Sequence, residues 1–95
     1  MKGGGFEWDD AKAAANLQAH GVSFEEAATV FESEMIEVQH DPDHSDDEDR
    51  WVAFGISTSL RFLFVNYTDR PETISIISAR LMTPSMRRNF MKDQL

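Results

Sequence analysis

The 95-residue sequence contains no cysteine. Disulfides and thiolate metal sites are thereby excluded as sources of stability, which fits a reducing compartment. Proline occurs three times and glycine five times, and three of those glycines are consecutive at Gly3, Gly4 and Gly5. The remainder is poor in chain breakers, which excludes a flexible linker or low-complexity tract. No apolar run approaches the eighteen or so residues of a membrane helix, and nothing near the start resembles a secretory signal, so the expectation is a cytoplasmic protein with no membrane partner. Cations are scarce too: nine Lys and Arg stand against seventeen Asp and Glu, a formal net charge of −8. That balance argues against a uniformly nucleic-acid-binding surface, because phosphate affinity comes from clustered Lys and Arg.

What is present suffices for one small core. At 41% apolar and 11% aromatic residues, the chain reads as a single domain over residues 6–95 behind a flexible lead at 1–5. Charge is unevenly spread. Residues 1–49 hold fourteen acids and two bases, whereas residues 50–95 hold three acids and seven bases. The second half therefore offers a basic surface that the total conceals.

Local signals predict an α+β fold. Phe6-Glu7-Trp8 alternates as a short edge strand, and the alanine-rich run after Asp9 and Asp10 reads as a helix ending at Gly21, a favoured residue just past a helix. Ser23 and Glu26 have the spacing of a capping box, with Val22 placed to staple against Ala27 as a second helix begins. A strand is expected at 35–39, followed by three more at 50–56, 61–67 and 73–79 whose short links make an antiparallel meander. Thr83 as N-cap and Pro84 at the first helical position open a last helix, on which Met86 and Phe90 share one face and Arg88 and Lys92 form a basic ridge. Two helices thus precede the meander and one follows it. Both faces of the strand at 61–67 are apolar, so one packs on the first helices and the other is covered by the last helix or by a partner.

Residues 40–49 read HDPDHSDDED, six acids and two histidines without a base. The run is either a solvated acidic hairpin loop or a set of oxygen ligands for a hard cation; it lacks the spacing and central glycine of an EF-hand loop, and no metal or other cofactor is expected.

Taken together, Phe6-Glu7-Trp8-Asp9, the run from Lys12 through Leu17, His20-Gly21-Val22-Ser23-Phe24-Glu25-Glu26-Ala27, Phe31, Asp41-Pro42-Asp43-His44, Arg50 and Ile77-Ser78-Ala79-Arg80 closely resemble the BrnT toxin family. The resemblance implies a compact ribonuclease toxin of RelE-like fold in a type II toxin–antitoxin pair. It also implies a BrnA-like ribbon-helix-helix antitoxin as partner, with DNA contacted only through that antitoxin. Metal-independent cleavage of RNA requires a group that moves the 2′-OH proton and cations that hold the charge developing on the phosphoryl oxygens. On the family pattern, His20, Arg50 and Arg80 are the catalytic candidates, and Lys12, Arg80, Arg87 and Arg88 the RNA-binding ones. Each has a purely structural alternative: His20 as a partner of the helix end, Arg50 as an ion-pair partner of Glu48 or Asp49. Four positions depart from the family pattern. Ala19, Ser75, Met86 and Phe90 stand where Lys, Arg, Glu and Tyr are usual, so the alternative to an RNA-cleaving toxin is a catalytically weakened or inactive member that binds its antitoxin and acts in operon repression. Position 75 and Arg80 are also an odd number of residues apart, which puts them on opposite faces of a regular strand unless a bulge intervenes.

Overall fold

The computed structural model describes residues 2–3, 5–44 and 48–94. Its elements are β1 (Lys2–Gly3), β2 (Phe6–Glu7), α1 (Asp10–His20), α2 (Phe24–Thr29), a 3-10 turn (Val30–Glu32), β3 (Glu37–Asp41), a second 3-10 turn (Pro42–His44), β4 (Arg50–Ile56), β5 (Phe62–Arg70), β6 (Thr73–Leu81) and α3 (Pro84–Asp93). The fold is α+β, with three helices around one mixed sheet of order β1-β2-β6-β5-β4-β3. β4, β5 and β6 form the expected antiparallel meander, β3 extends it by pairing antiparallel with β4, and β2 runs parallel to β6 through Phe6↔Ile74 and Glu7↔Ser75. Of the expected lead, Met1 and Gly4 lie outside the described residues, and Lys2–Gly3 pair antiparallel with Phe6–Glu7.

Local chemistry sets the helix ends. Asp9 caps α1 by accepting the Lys12 N–H at 3.0 Å, which holds the Asp9 carboxyl below its ordinary range. Gly21 closes the helix with φ +67° while donating its N–H to the Leu17 carbonyl, a conformation costly for residues with a Cβ. Thr83 caps α3 by accepting the Met86 N–H at 3.1 Å. The capping box at α2 is only half realised. Ser23 Oγ accepts the Glu26 N–H at 3.0 Å, but the Glu26 carboxylate turns to Arg61 and Ser57, because a guanidinium and a hydroxyl there outcompete one backbone N–H.

One sheet face carries the core. Val22, Phe24, Ala27 and Val30 pack from the helical side onto Ala53, Leu63, Val65, Tyr67, Ile76 and Ala79. Gly55 faces the same layer, where a Cβ would stand 2.7 Å from Val30 Cγ1. The opposite face is covered at one end by α3, whose Phe90 is 2% exposed and meets the Phe62 ring edge-on at 6.1 Å. The meander thus separates the helices as its two apolar faces require. Two strands outrun expectation: β5 continues to Arg70 and β6 to Leu81, because Thr68↔Ser75, Asp69↔Ile74 and Arg70↔Thr73 carry the ladder to a two-residue turn at Pro71 and Glu72. The strand expected at 35–39 lies two residues later, at Glu37–Asp41. Among the described residues, no helix is long and apolar enough to cross a membrane.

Candidate RNA-binding face and polar cleft

The register of the sheet builds a transverse row of side chains. Asp41 stands opposite Arg50, Arg50 opposite Thr68, Thr68 opposite Ser75, and Ser75 opposite Glu7. Five strands each contribute one polar residue, and since side chains alternate along strands, all five share the face away from α1 and α2. Arg50, Thr68 and Ser75 of the row line a cleft of about 380 Å³ together with Asp9 and Lys12 at the start of α1, Asp43 and Glu48 from the β3–β4 connection, and Arg70. At its centre the Thr68 side chain is 5% exposed, and its Oγ1 has no hydrogen-bond partner. A buried hydroxyl left without a partner costs roughly 1–3 kcal/mol.

The cleft holds charges of both signs. Arg70 donates to Glu48 at 2.9 and 2.8 Å and to Glu7 at 2.6 Å. These contacts push the guanidinium pKa further up and the Glu48 carboxyl down, with Arg50 adding a smaller attraction to Glu48. Arg70 is neutralised by two acids and serves as a clasp between β2 and the β3–β4 connection. Lys12 and Arg50 are the other two cations that line the cleft.

A β-bulge decides how β6 contributes. The partners of β5 jump from Asn66↔Ser78 to Tyr67↔Ile76, leaving Ile77 as the extra residue. The added residue restores the phase, so Ser75, Ser78 and Arg80 fall on one face although 75 and 80 differ by an odd number. Arg80 stands opposite Phe64, beside an aromatic cluster in which Phe54 stacks on Phe64 at 6.1 Å and the Arg87 guanidinium lies 4.1 Å from the Phe62 ring centre. Thr68 and Phe64 are four residues apart on β5, about 14 Å in an antiparallel strand. The face therefore runs from a hydroxyl-and-cation end to an aromatic-and-arginine end, joined by the hydrogen-bonded pair Asn66 and Ser78.

The sequence candidates divide between these places. Lys12 and Arg50 line the cleft, and Arg80 and Arg87 stand at the aromatic end. Arg88 is exposed on α3. His20 ends α1, two turns or about 12 Å along the helix from Lys12. Of the three catalytic candidates, Arg50 lines this cleft, and His20 and Arg80 are not among its lining residues. Met86 lies toward the sheet with Phe90, beside Glu37, Phe54 and Asp93. Sequence reasoning missed Thr68, Arg70 and the Glu7 clasp; only the strand register reveals them. In the acidic run at 40–49, Ser45, Asp46 and Asp47 lie outside the described residues, and His40 Nε2 sits 3.2 Å from Asp49 Oδ1. Among the described residues, no three His, Asp or Glu side chains are grouped to hold a metal ion.

Comparison with known proteins agrees with this architecture. Residues 8–85 match the family described as "Ribonuclease toxin, BrnT, of type II toxin-antitoxin system". The crystal structure of the Brucella abortus ribonuclease toxin BrnT superimposes with a TM-score of 0.59 at 22% identity, covering 82% of this chain and 95% of that one. No curated protein matches the sequence. With the family match extending over most of the sequence, the chain belongs to the BrnT family of ribonuclease toxins of type II toxin–antitoxin systems.

Proposed function

We propose that the sheet face opposite α1 and α2 binds RNA, with a phosphate held in the cleft by Lys12, Arg50 and the Thr68 hydroxyl and a neighbouring base resting on the aromatic end near Arg80. The observation that carries this reading is the row Arg50–Thr68–Ser75, with a buried, unpartnered hydroxyl at its centre. Cationic donors fixed on strands are suited to the charge that develops during phosphoryl attack, and Phe64 with Arg80 offers a surface on which a base stacks. Of the carboxylates that line the cleft, Asp9, Asp43 and Glu48, Asp9 is engaged as the α1 cap and Glu48 by Arg70; Asp43, rather than His20, takes the proton-transfer role.

Ser75 sets the strength of that activity. It occupies the position beside Thr68 where the family pattern has arginine, and loss of a charged donor at a developing oxyanion costs about 10²–10³ in rate. The inner side of α3 is likewise apolar, with Phe90 seated on Phe62. These two features favour a toxin of weak ribonuclease activity that still engages its antitoxin, a BrnA-like ribbon-helix-helix protein through which the pair contacts operator DNA. The test is RNA cleavage by the purified chain beside Ser75→Arg and Ser75→Arg/Met86→Glu. Slow cleavage that vanishes in Arg50→Ala and rises in Ser75→Arg supports the reading. Equal rates in wild type and Arg50→Ala reject the assigned cleft, and complete inactivity of every variant favours the purely antitoxin-binding role.

A further inference from the structure

We infer that the outward side of α3 is the seat of an acidic, amphipathic helix supplied by the antitoxin, an assignment that rests on the toxin–antitoxin reading above. A groove of about 800 Å³ runs along this side, with Met82, Pro84 and Met91 supplying apolar surface and Arg87, Arg88 and Lys92 the charge. Phe90 points the opposite way, into the protein, so the groove is a second face of the helix. Met91 is 39% exposed there.

Charge identifies the occupant. In a chain of net charge −8, three of the nine cations gather within the ten residues of α3, which has no acid in its first turn. Among the described residues none of the three is paired with a carboxylate, whereas Arg61 and Arg70 are each fully engaged by glutamates. An abundance of acid elsewhere and unpaired cations here favour a partner that brings its own carboxylates. The apolar lining is aliphatic, Met and Pro, with none of the exposed aromatic rings on which single-stranded bases stack, and such flexible thioether surfaces suit protein side chains. From Pro84 to Met91 the groove measures about 10 Å along the helix axis. That length accommodates about two turns of a helix, with apolar anchors at i, i+3 or i+4 and carboxylates flanking them.

The experiment uses the full chain, the antitoxin encoded in the same operon, and a labelled single-stranded RNA of about fifteen nucleotides as a competing probe. Association and dissociation rates are measured for wild type, Arg88→Glu/Lys92→Glu and Met91→Asp, with thermal melts confirming that the variants, all at exposed positions, remain folded. Hydrogen exchange of α3 is followed in parallel. The expected results are association with the antitoxin slowed about tenfold at low salt in the charge-reversed protein, a difference that shrinks at high salt, and faster dissociation in Met91→Asp. Antitoxin binding should also protect α3 from exchange, and the loss of antitoxin affinity should exceed any loss of RNA affinity. Unchanged antitoxin rates in both variants, or loss of RNA binding with antitoxin binding intact, overturn this assignment alone. Failure of the wild-type chain to bind the antitoxin overturns both it and the toxin–antitoxin reading.

Discussion

Asn16 and Ala79 lie 63 positions apart and pair as two strand residues do: the Asn16 side-chain amide donates to the Ala79 carbonyl at 2.9 Å, and its oxygen accepts the Ala79 N–H at 3.2 Å. β2 covers β6 only at Ile74 and Ser75, so beyond that point the edge of β6 exposes backbone groups that a helix side chain must satisfy. The same amide also donates to Val22 at 2.9 Å, tying the α1–α2 corner to the sheet. Asn16→Leu should therefore destabilise the fold by about 3 kcal/mol, since three buried backbone groups lose their partner. Chemical denaturation, read as a shift in midpoint at constant slope, measures it.

Arg61 ties the same corner to β5. Its guanidinium contacts Glu26 through two nitrogens and donates to the Gly21 carbonyl at 2.9 Å, while Ser57 Oγ donates to Glu26 at 2.7 Å. The arginine hydrogen bond, ahead of a smaller contribution from Ser57, holds the Glu26 carboxyl below its ordinary value of 4.5. A depressed carboxylate stabilises the fold above its unfolded pKa, and that contribution is lost as pH falls below 4.5 through the folded value. Melting temperature should drop on acidification through this range, and Glu26→Gln should flatten the drop while costing about 2 kcal/mol at pH 7.

Glu37 carries the opposite sign. Burial first, and then its hydrogen bond to Asp93 on α3, raise its pKa above 4.5. An acid raised in the folded state weakens the fold once it ionises, so its contribution improves as pH falls through the raised value toward 4.5. Glu37→Gln should raise the melting temperature at pH 7 by about 1–3 °C and slow hydrogen exchange in α3, with the gain vanishing near pH 4.

Gly55 is held by space rather than by backbone angle. A methyl group there meets Val30 Cγ1 at 2.7 Å, and the β-branched Val30, itself fully buried, has little freedom to retreat. Gly55→Ala should cost about 1–3 kcal/mol, and pairing it with Val30→Ala should recover part of the loss in a double-mutant cycle.

These relationships mark what the sequence makes legible. Helix ends were readable because Asp9, Gly21, Ser23, Thr83 and Pro84 act within one turn of where they stand, and the apolar faces of β5 required cover on both sides. The cleft was not readable. It gathers Lys12, Glu48, Arg50, Thr68 and Ser75 from five segments, and the juxtaposition of Arg50, Thr68 and Ser75 depends on strand register, which no local signal specifies. The bulge at Ile77 illustrates the point: one extra residue, chemically ordinary for a strand, turns Ser75 and Arg80 onto one face. Glu26 had the right spacing for a reciprocal cap and was diverted by Arg61, a competitor 35 residues away.

The most direct test of the RNA-binding face is the affinity of the full chain for a labelled single-stranded RNA, measured by fluorescence anisotropy across a salt series for wild type, Arg50→Ala and Thr68→Val. Arg50→Ala should weaken binding about tenfold and reduce the salt slope by about one counterion, and Thr68→Val should weaken binding without changing the slope, because a hydroxyl contact carries no charge. Affinities and slopes indistinguishable from wild type in both variants would contradict RNA binding by this face.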